Sequence, residues 1–192
     1  HSLHDALPIV TVHDDNGGVS SASFPVTVNN ANPVVSTPHG NQSISEGDTI
    51  TFSDLATFTD PGFDNPSNPI AAVPPNITDP LHESFTYDID WGDGRDAITG
   101  ASIADLNGAP GTPSSGTIAG SHTYADDGVY TVTVTVHDDN GGVNPASFTI
   151  TVNNANPVVT TPHGNQNISE GGTVSFSDLA TFTDPGFDNP SN

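Results

Sequence analysis

The sequence predicts an all-β protein built of antiparallel β-sandwiches arranged in tandem. Three observations carry that prediction: the choice of acidic residues, a strict alternation of apolar and polar positions, and a long internal repeat. Of the 23 acidic residues among 192, twenty are Asp and three are Glu (Glu46, Glu83 and Glu170). Acidic helical proteins favour Glu with Lys or Arg beside it. Asp with Asn, Gly, Pro and Thr is the vocabulary of strands and turns. Apolar residues are only 32% of the chain, a level that raises the question of disorder. The alternation answers it for most of the length.

Taken in chain order, the first strand candidates are short: Pro33–Thr37, Gln42–Ile44 and Thr49–Ser53. Ser84–Trp91 puts Phe85, Tyr87, Ile89 and Trp91 on one face and Thr86, Asp88 and Asp90 on the other. Gly116–Tyr124 follows. Val129–His137 points Tyr130, Val132, Val134 and Val136 inward and its threonines outward, and Ser147–Val152 does the same with Phe148, Ile150 and Val152. Period two with one apolar face marks a half-buried strand. The run HDDNGGV between the last two strands reads as a hairpin turn, and no stretch sustains a helical period. Seven or so short strands divided by turns predict an immunoglobulin-like sandwich. Trp91 falls where such a core holds a Trp. Asp126-x-Gly128-x-Tyr130 has the spacing of a tyrosine corner, and Trp91 and Tyr130 are both expected to be mostly buried. With no Cys in the chain, the apolar faces alone must hold the sheets together.

The repeat has a period of 124 residues. Val10–Asn68 aligns with Val134–Asn192 without a gap, and nine of the 59 positions differ. The Asn-Pro linker punctuates the unit at Pro33 and Pro157. The chain therefore divides into residues 10–32 (the last strands of a preceding repeat), 33–156 (one complete repeat) and 157–192 (the first strands of a following one). Residues 1–9 share nothing with 125–133, and so sharp an edge marks them as a non-native or disordered leader. The chain starts His1-Ser2 and holds no Met, so it is read as a fragment of a longer protein. Both flanking pieces are expected to be less ordered than the middle, because neither can close a core.

Tyr87–Gly94 (YDIDWGDG) followed by His122–Val136 (HTYADDGVYTVTVTV) and HDDNGGV resembles the PKD (polycystic kidney disease) domain family. The family pattern is an aromatic-Asp-aromatic-Gly-Asp-Gly segment, then H-x-Y and G-x-Y-x-V. Trp91 takes the aromatic place. The resemblance covers Pro33–Asn156 and implies tandem modules of a large extracellular, bacterial-type protein. It also implies that His122 hydrogen-bonds within the fold. Two insertions depart from the family, Asp64–Glu83 with five prolines in 20 residues and Ala97–Ser115, rich in Gly, Pro and Ser. Loops of this length cost little, since closure entropy grows only logarithmically.

Charge excludes several functions. One Lys+Arg against 23 acids leaves a net charge of −22, so no basic patch exists for nucleic acid or anionic membrane. No apolar run is long enough to insert in a bilayer. Without Cys and Lys there is no thiolate zinc site, thiol nucleophile, Schiff base or Walker lysine. The histidines lack any HExxH-like spacing and the serines lack a nucleophile elbow, so the chain is expected not to be an enzyme and to require no cofactor. Asp88, Asp90 and Asp93 read as a solvated sheet face and a turn. Asn41, Asn76 and Asn167 open glycosylation sequons that matter only in a glycosylating host.

Calcium is the one ligand with chemical weight, because hard cations take oxygen from Asp, Glu, Asn and carbonyls. In the predicted topology Asp60, Asp64, Asp138 and Asp139 gather at the pole reached from linker residues Asn29, Asn30 and Asn32. Glu46, Asp93, Asp126 and Asp127 gather at the opposite pole, near Asn153, Asn154 and Asn156. Such a junction is similar in plan to that of cadherins. The competing reading is that these residues only form turns, with high salt screening the charge. The expected role is a non-catalytic extracellular or cell-surface spacer, scaffold or adhesive stalk. Its partners would be neighbouring repeats and a protein or polysaccharide ligand. The alternative is an accessory module of a secreted hydrolase.

Overall fold

The computed structural model describes residues 4–6, 8–63 and 83–187; Asp64 and nearly all of the Asp64–Glu83 insertion lie outside them. The strands are β1 (His4–Ala6), β2 (Ile9–His13), β3 (Val19–Ser23), β4 (Val26–Val28), β5 (Val34–Ser36), β6 (Gln42–Ser45), β7 (Thr49–Asp60) and β8 (Phe85–Asp90). Then come β9 (Ile98–Ser102), β10 (Asp105–Leu106), β11 (Ser114–Thr123), β12 (Gly128–Asp138), β13 (Val143–Asn153), β14 (Val158–Thr160) and β15 (Thr181–Thr183).

Two sheets make the sandwich, β10-β11-β7-β5 and β6-β13-β12-β8-β9. Neighbours are antiparallel except β6, which lies parallel to β13. That order is the immunoglobulin-like arrangement, with the first strand split between the sheets. The alternation read from the sequence sets the facing residues. Phe85, Ile89, Trp91, Val132, Val134, Val136, Phe148, Ile150 and Val152 are buried against Phe52, Leu55, Phe58 and Ile118 of the other sheet. Each such side chain contributes about 1.5–3 kcal/mol of apolar burial.

Two expectations need correction. β7 runs to Asp60 rather than ending at Ser53, because its parity slips: Phe52 and Leu55 both face inward where the β7–β11 register shifts. An irregularity of this kind moves the inward set by one residue and hides the strand from a period-two reading. The Ala97–Ser115 insertion is not plain loop, since it carries β9, β10 and the start of β11. Gly100 interrupts β9 with φ of 64°, where the β8–β9 register also shifts, and its N–H is held by Asp88 Oδ1 at 2.7 Å. Trp91 is 1% exposed and Tyr130 is mostly covered, packed against the core, as expected; the fully buried tyrosine is Tyr124.

Outside the sandwich, β2 pairs with β3, β14 with β15, and β1 with β4. β1 falls within residues 1–9 and pairs with β4 in the register His4–Val28, Asp5–Thr27 and Ala6–Val26. Among the described residues no helix is long and apolar enough to cross a membrane.

Candidate functional site

The chain enters and leaves the sandwich at opposite ends of β12 and β13. At the entry pole Pro33 is buried and its carbonyl accepts from Asn144 Nδ2 at 2.8 Å. The β12–β13 hairpin stands beside it. Asp138 is buried there and fully engaged: Oδ1 accepts the N–H of Asn140 at 3.0 Å and of Gly142 at 2.6 Å, and Oδ2 accepts Asn30 Nδ2 at 2.9 Å. Asp139 donates its N–H to the Ser84 carbonyl, and its Oδ1 accepts Asn140 Nδ2. Asp60, 1% exposed, closes the pole from β7. Its Oδ1 accepts the Gly62 N–H at 2.7 Å, and its Oδ2 is buried with no hydrogen-bond partner. Burial, and then the nearby Asp138 charge, push its carboxyl above the usual carboxylate range despite the Gly62 bond.

At the exit pole Glu46, Asp126 and Asp127 bring one carboxylate oxygen each within 4.8 Å of one another. Glu46 is buried, and its Oε1 accepts the Ala155 N–H at 2.8 Å. Asp126 and Asp127 are exposed. Asp126 and Tyr130 form the tyrosine corner that the D-x-G-x-Y spacing predicts, with the Tyr130 hydroxyl donating to the Asp126 carbonyl at 3.1 Å. Burial, followed by the charges of Asp126, Asp93, Asp127 and Glu46, pushes the Tyr130 hydroxyl up.

Asp93 does not join the other three. Its Oδ1 accepts the Arg95 N–H at 3.0 Å and its Oδ2 meets His122 Nε2 at 2.8 Å, both side chains being almost wholly buried. His122 is thus tied within the fold, as the family resemblance implies. It stacks on Trp91 at 5.0 Å and 8°, Tyr124 packs edge-on to it at 4.7 Å, and Tyr130 stacks on Tyr124 at 4.6 Å. The Tyr124 hydroxyl donates to the Trp91 carbonyl at 3.0 Å, and burial pushes its ionisation far upward. Gly92 makes the turn after β8: its φ is 85°, and a Cβ there would stand 2.5 Å from the Thr131 carbonyl oxygen. No larger residue fits.

Of the eight candidate ligands, then, the structure unites Glu46, Asp126 and Asp127 at one pole and sets Asp60 near Asp138 at the other. Asp138 and Asp139 serve the hairpin, Asp93 serves His122, and Asp64 is outside the described residues. The sequence reading missed Glu83, whose carboxylate lies over Gly62 beside Asp60. It is the last residue of the 20-residue insertion, so nothing local points to it. Oxygen donors of this kind suit calcium better than a softer ion.

Comparison with known proteins finds the family described as "Putative Ig domain" matching residues 68–153. No curated protein matches the chain. Among solved structures, the PKD domain of an M14-like peptidase from a Thermoplasmatales archaeon is similar, at 21% identity and a TM-score of 0.37. That match covers 65% of this chain and 99% of the other.

Proposed function

We propose that this immunoglobulin-like sandwich is one module of a PKD-type tandem array, a non-catalytic spacer or adhesive stalk on the outside of a cell. The observation that carries the reading is the placement of its two ends. The same linker, VNNANP, leads into one pole and out of the other, separated by the 11 residues of β12, about 34 Å of strand. A module with ends so placed adds its full length to a chain of copies. Units stacked in this way give reach, and many weak contacts along one chain raise apparent affinity by orders of magnitude. The accessory-module alternative draws no support from Trp91, which lies 1% exposed under His122 rather than facing a polysaccharide.

The acidic poles add calcium to this reading. Glu46, Asp126 and Asp127 converge, and the buried orphan oxygen of Asp60 favours a cation over water-free isolation. An ion held only by the folded form at ten to a hundred times its Kd would add roughly 1.4–2.7 kcal/mol against the self-repulsion of 22 net negative charges. Millimolar calcium at fixed ionic strength should raise the melting temperature more than magnesium does. Equal shifts from both, or from NaCl, reduce the effect to screening.

The array reading is tested by pulling the full-length protein in a single-molecule apparatus. Each unfolding event should lengthen the chain by roughly 400 Å, the extended span of one 124-residue unit less its folded length. Increments unrelated to 124 residues would sink it.

A further inference from the structure

One junction is visible here from both sides. Val28–Pro33 and Val152–Pro157 are identical in sequence. At the first copy the contacts run to the unit ahead. Asn30 Nδ2 donates to Asp138 and Asn144 Nδ2 donates to the Pro33 carbonyl. At the second copy they run to the unit behind. Asn153 Nδ2 donates to Ser43 Oγ and to the Ile44 carbonyl, each at 2.9 Å, and the Ala155 N–H donates to Glu46. Asn153 and Ala155 are the repeat equivalents of Asn29 and Ala31. Superposed, the two views describe one linker. Its residues 29 and 31 grip the unit behind, while residues 30 and 33 grip the unit ahead.

A second contact bridges past the linker. The Phe187 N–H donates to the Ala125 carbonyl at 3.1 Å. The Pro185 carbonyl lies over Gly47, so close that a Cβ there would stand 2.6 Å from its oxygen. A Cβ on Gly186 would stand 3.0 Å from the Glu46 carboxyl carbon. Pro185-Gly186-Phe187 repeats Pro61-Gly62-Phe63 at the end of β7. Gly47 and its repeat copy Gly171 separate two demands on one glycine. Their φ angles are 79° and 77°, so the turn asks for glycine in both. Only Gly47, which has the next unit's residues ahead of it, is closely approached; a Cβ added at Gly171 would meet nothing beyond its chain neighbours within 4 Å.

We infer that Gly47, Glu46 and Ala125 form a docking surface for the Asp-Pro-Gly-Phe turn of the next unit, and that turn and interleaved linker together make a stiff joint. The inference rests on the array reading and deepens it, since it makes the array a rod of fixed pitch rather than a string of hinged beads. Every contact named is made between protein groups, and the joint proposed is one that those contacts hold.

The 192-residue chain allows a direct test, because it has no Cys and a double-cysteine variant takes spin labels at two places only. Ser147→Cys and Thr183→Cys lie on exposed positions of the sandwich and of the following segment. The label–label distance should be narrowly distributed and unchanged by EDTA. Adding Gly47→Val should broaden it at least about twofold, and Gly171→Val, equally strained at its turn, should not. Phe187→Pro removes the donor from the far side without touching the sandwich and should broaden it as well, with Trp91 emission reporting that the fold is intact. A broad distribution in the otherwise unaltered chain, narrowing only on addition of calcium, or equal effects of the two glycine variants would overturn the joint. The array reading would survive those results, since it stands or falls on the pulling increments.

Discussion

Val10–Asn32 and Val134–Asn156 are near copies, and the contrast between them separates what a hairpin encodes from what a sandwich supplies. Their turns are the same object. Asp14 Oδ1 accepts the N–H of Asn16 at 2.9 Å and of Gly18 at 2.6 Å, as Asp138 Oδ1 does for Asn140 and Gly142. Gly17 and Gly141 have φ of 88° and 93°. Beyond the turn the copies part. Val10 and Val12 are 61% and 64% exposed, and their equivalents Val134 and Val136 are fully buried. The following partial copy repeats the lesson, since Leu179 and Phe182 are exposed where Leu55 and Phe58 are core. Turn chemistry is local and survives anywhere. Burial needs β8 and the opposite sheet, which only the complete unit has, and a hairpin without them is marginal in water.

Removing the core should abolish the contrast. Trp91→Ala deletes the largest fully buried side chain and should destabilise the complete unit by about 3–5 kcal/mol. Val134 and Val136 amides should then exchange nearly as fast as those of Val10 and Val12. Slow exchange persisting at Val136 in this variant would mean that the hairpin holds itself.

A matched pair of substitutions sharpens the comparison. Val136→Ala should cost about 2 kcal/mol, the two lost methyls plus a cavity. Val12→Ala, the same change in the same local sequence, should stay within about 0.5 kcal/mol. Urea denaturation of both variants measures the difference, and equal costs would show that the first copy finds a core of its own.

Tyr124→Phe tests a bond that the incomplete copies lack. Losing the hydroxyl leaves the buried Trp91 carbonyl without its donor, at about 1.5 kcal/mol. A thermal midpoint equal to that of the unaltered chain would show another donor taking its place.

Most of the sandwich was legible in the sequence because its central strands obey period two without interruption. β8, β12 and β13 bury the residues their alternation selects, Tyr87 and Tyr130 in part and the others fully or nearly so. What escaped was irregular. β7 loses phase between Phe52 and Leu55, β9 is broken by Gly100, and Tyr124 lies at a strand end where no period assigns it a side. The poles were legible as places, because topology alone brings hairpin acids to the linker. Their partners were not. Asp138 and Asp93 carry the same side chain as Asp126, yet they spend both oxygens on backbone N–H groups and on Asn30 or His122, whereas Asp126 engages only Oδ1, which accepts the Asp127 N–H. A residue type read along the chain does not distinguish a carboxylate with both oxygens engaged from one with an oxygen left to face a neighbour.

The smallest expected effect concerns pH. His137 Nε2 meets Asp88 Oδ2 at 3.0 Å, a contact closed to its copy His13, which has no β8 beside it. The Gly100 N–H above all holds the Asp88 carboxyl below its ordinary value of 3.8; burial opposes it, and the His137 hydrogen bond and charge add to the downward pull. A carboxyl depressed in the folded state lends stability above its unfolded value and loses it as pH falls through the folded one. The contribution is therefore fully present at pH 7 and gone below the folded value. Because the pair is about one-third exposed, solvent screening limits it to about 1 kcal/mol or less. Asp88→Ala should lower the urea midpoint at pH 7 and bring it closer to that of the unaltered chain at pH 2.5. His137→Gln should lower it at pH 7 by a smaller amount, since the Gly100 bond remains, and His13→Gln should leave it unchanged. A gap between the Asp88→Ala and unaltered chains that stays constant across this range would show that Asp88 acts through packing of β9 alone, with no part played by its charge.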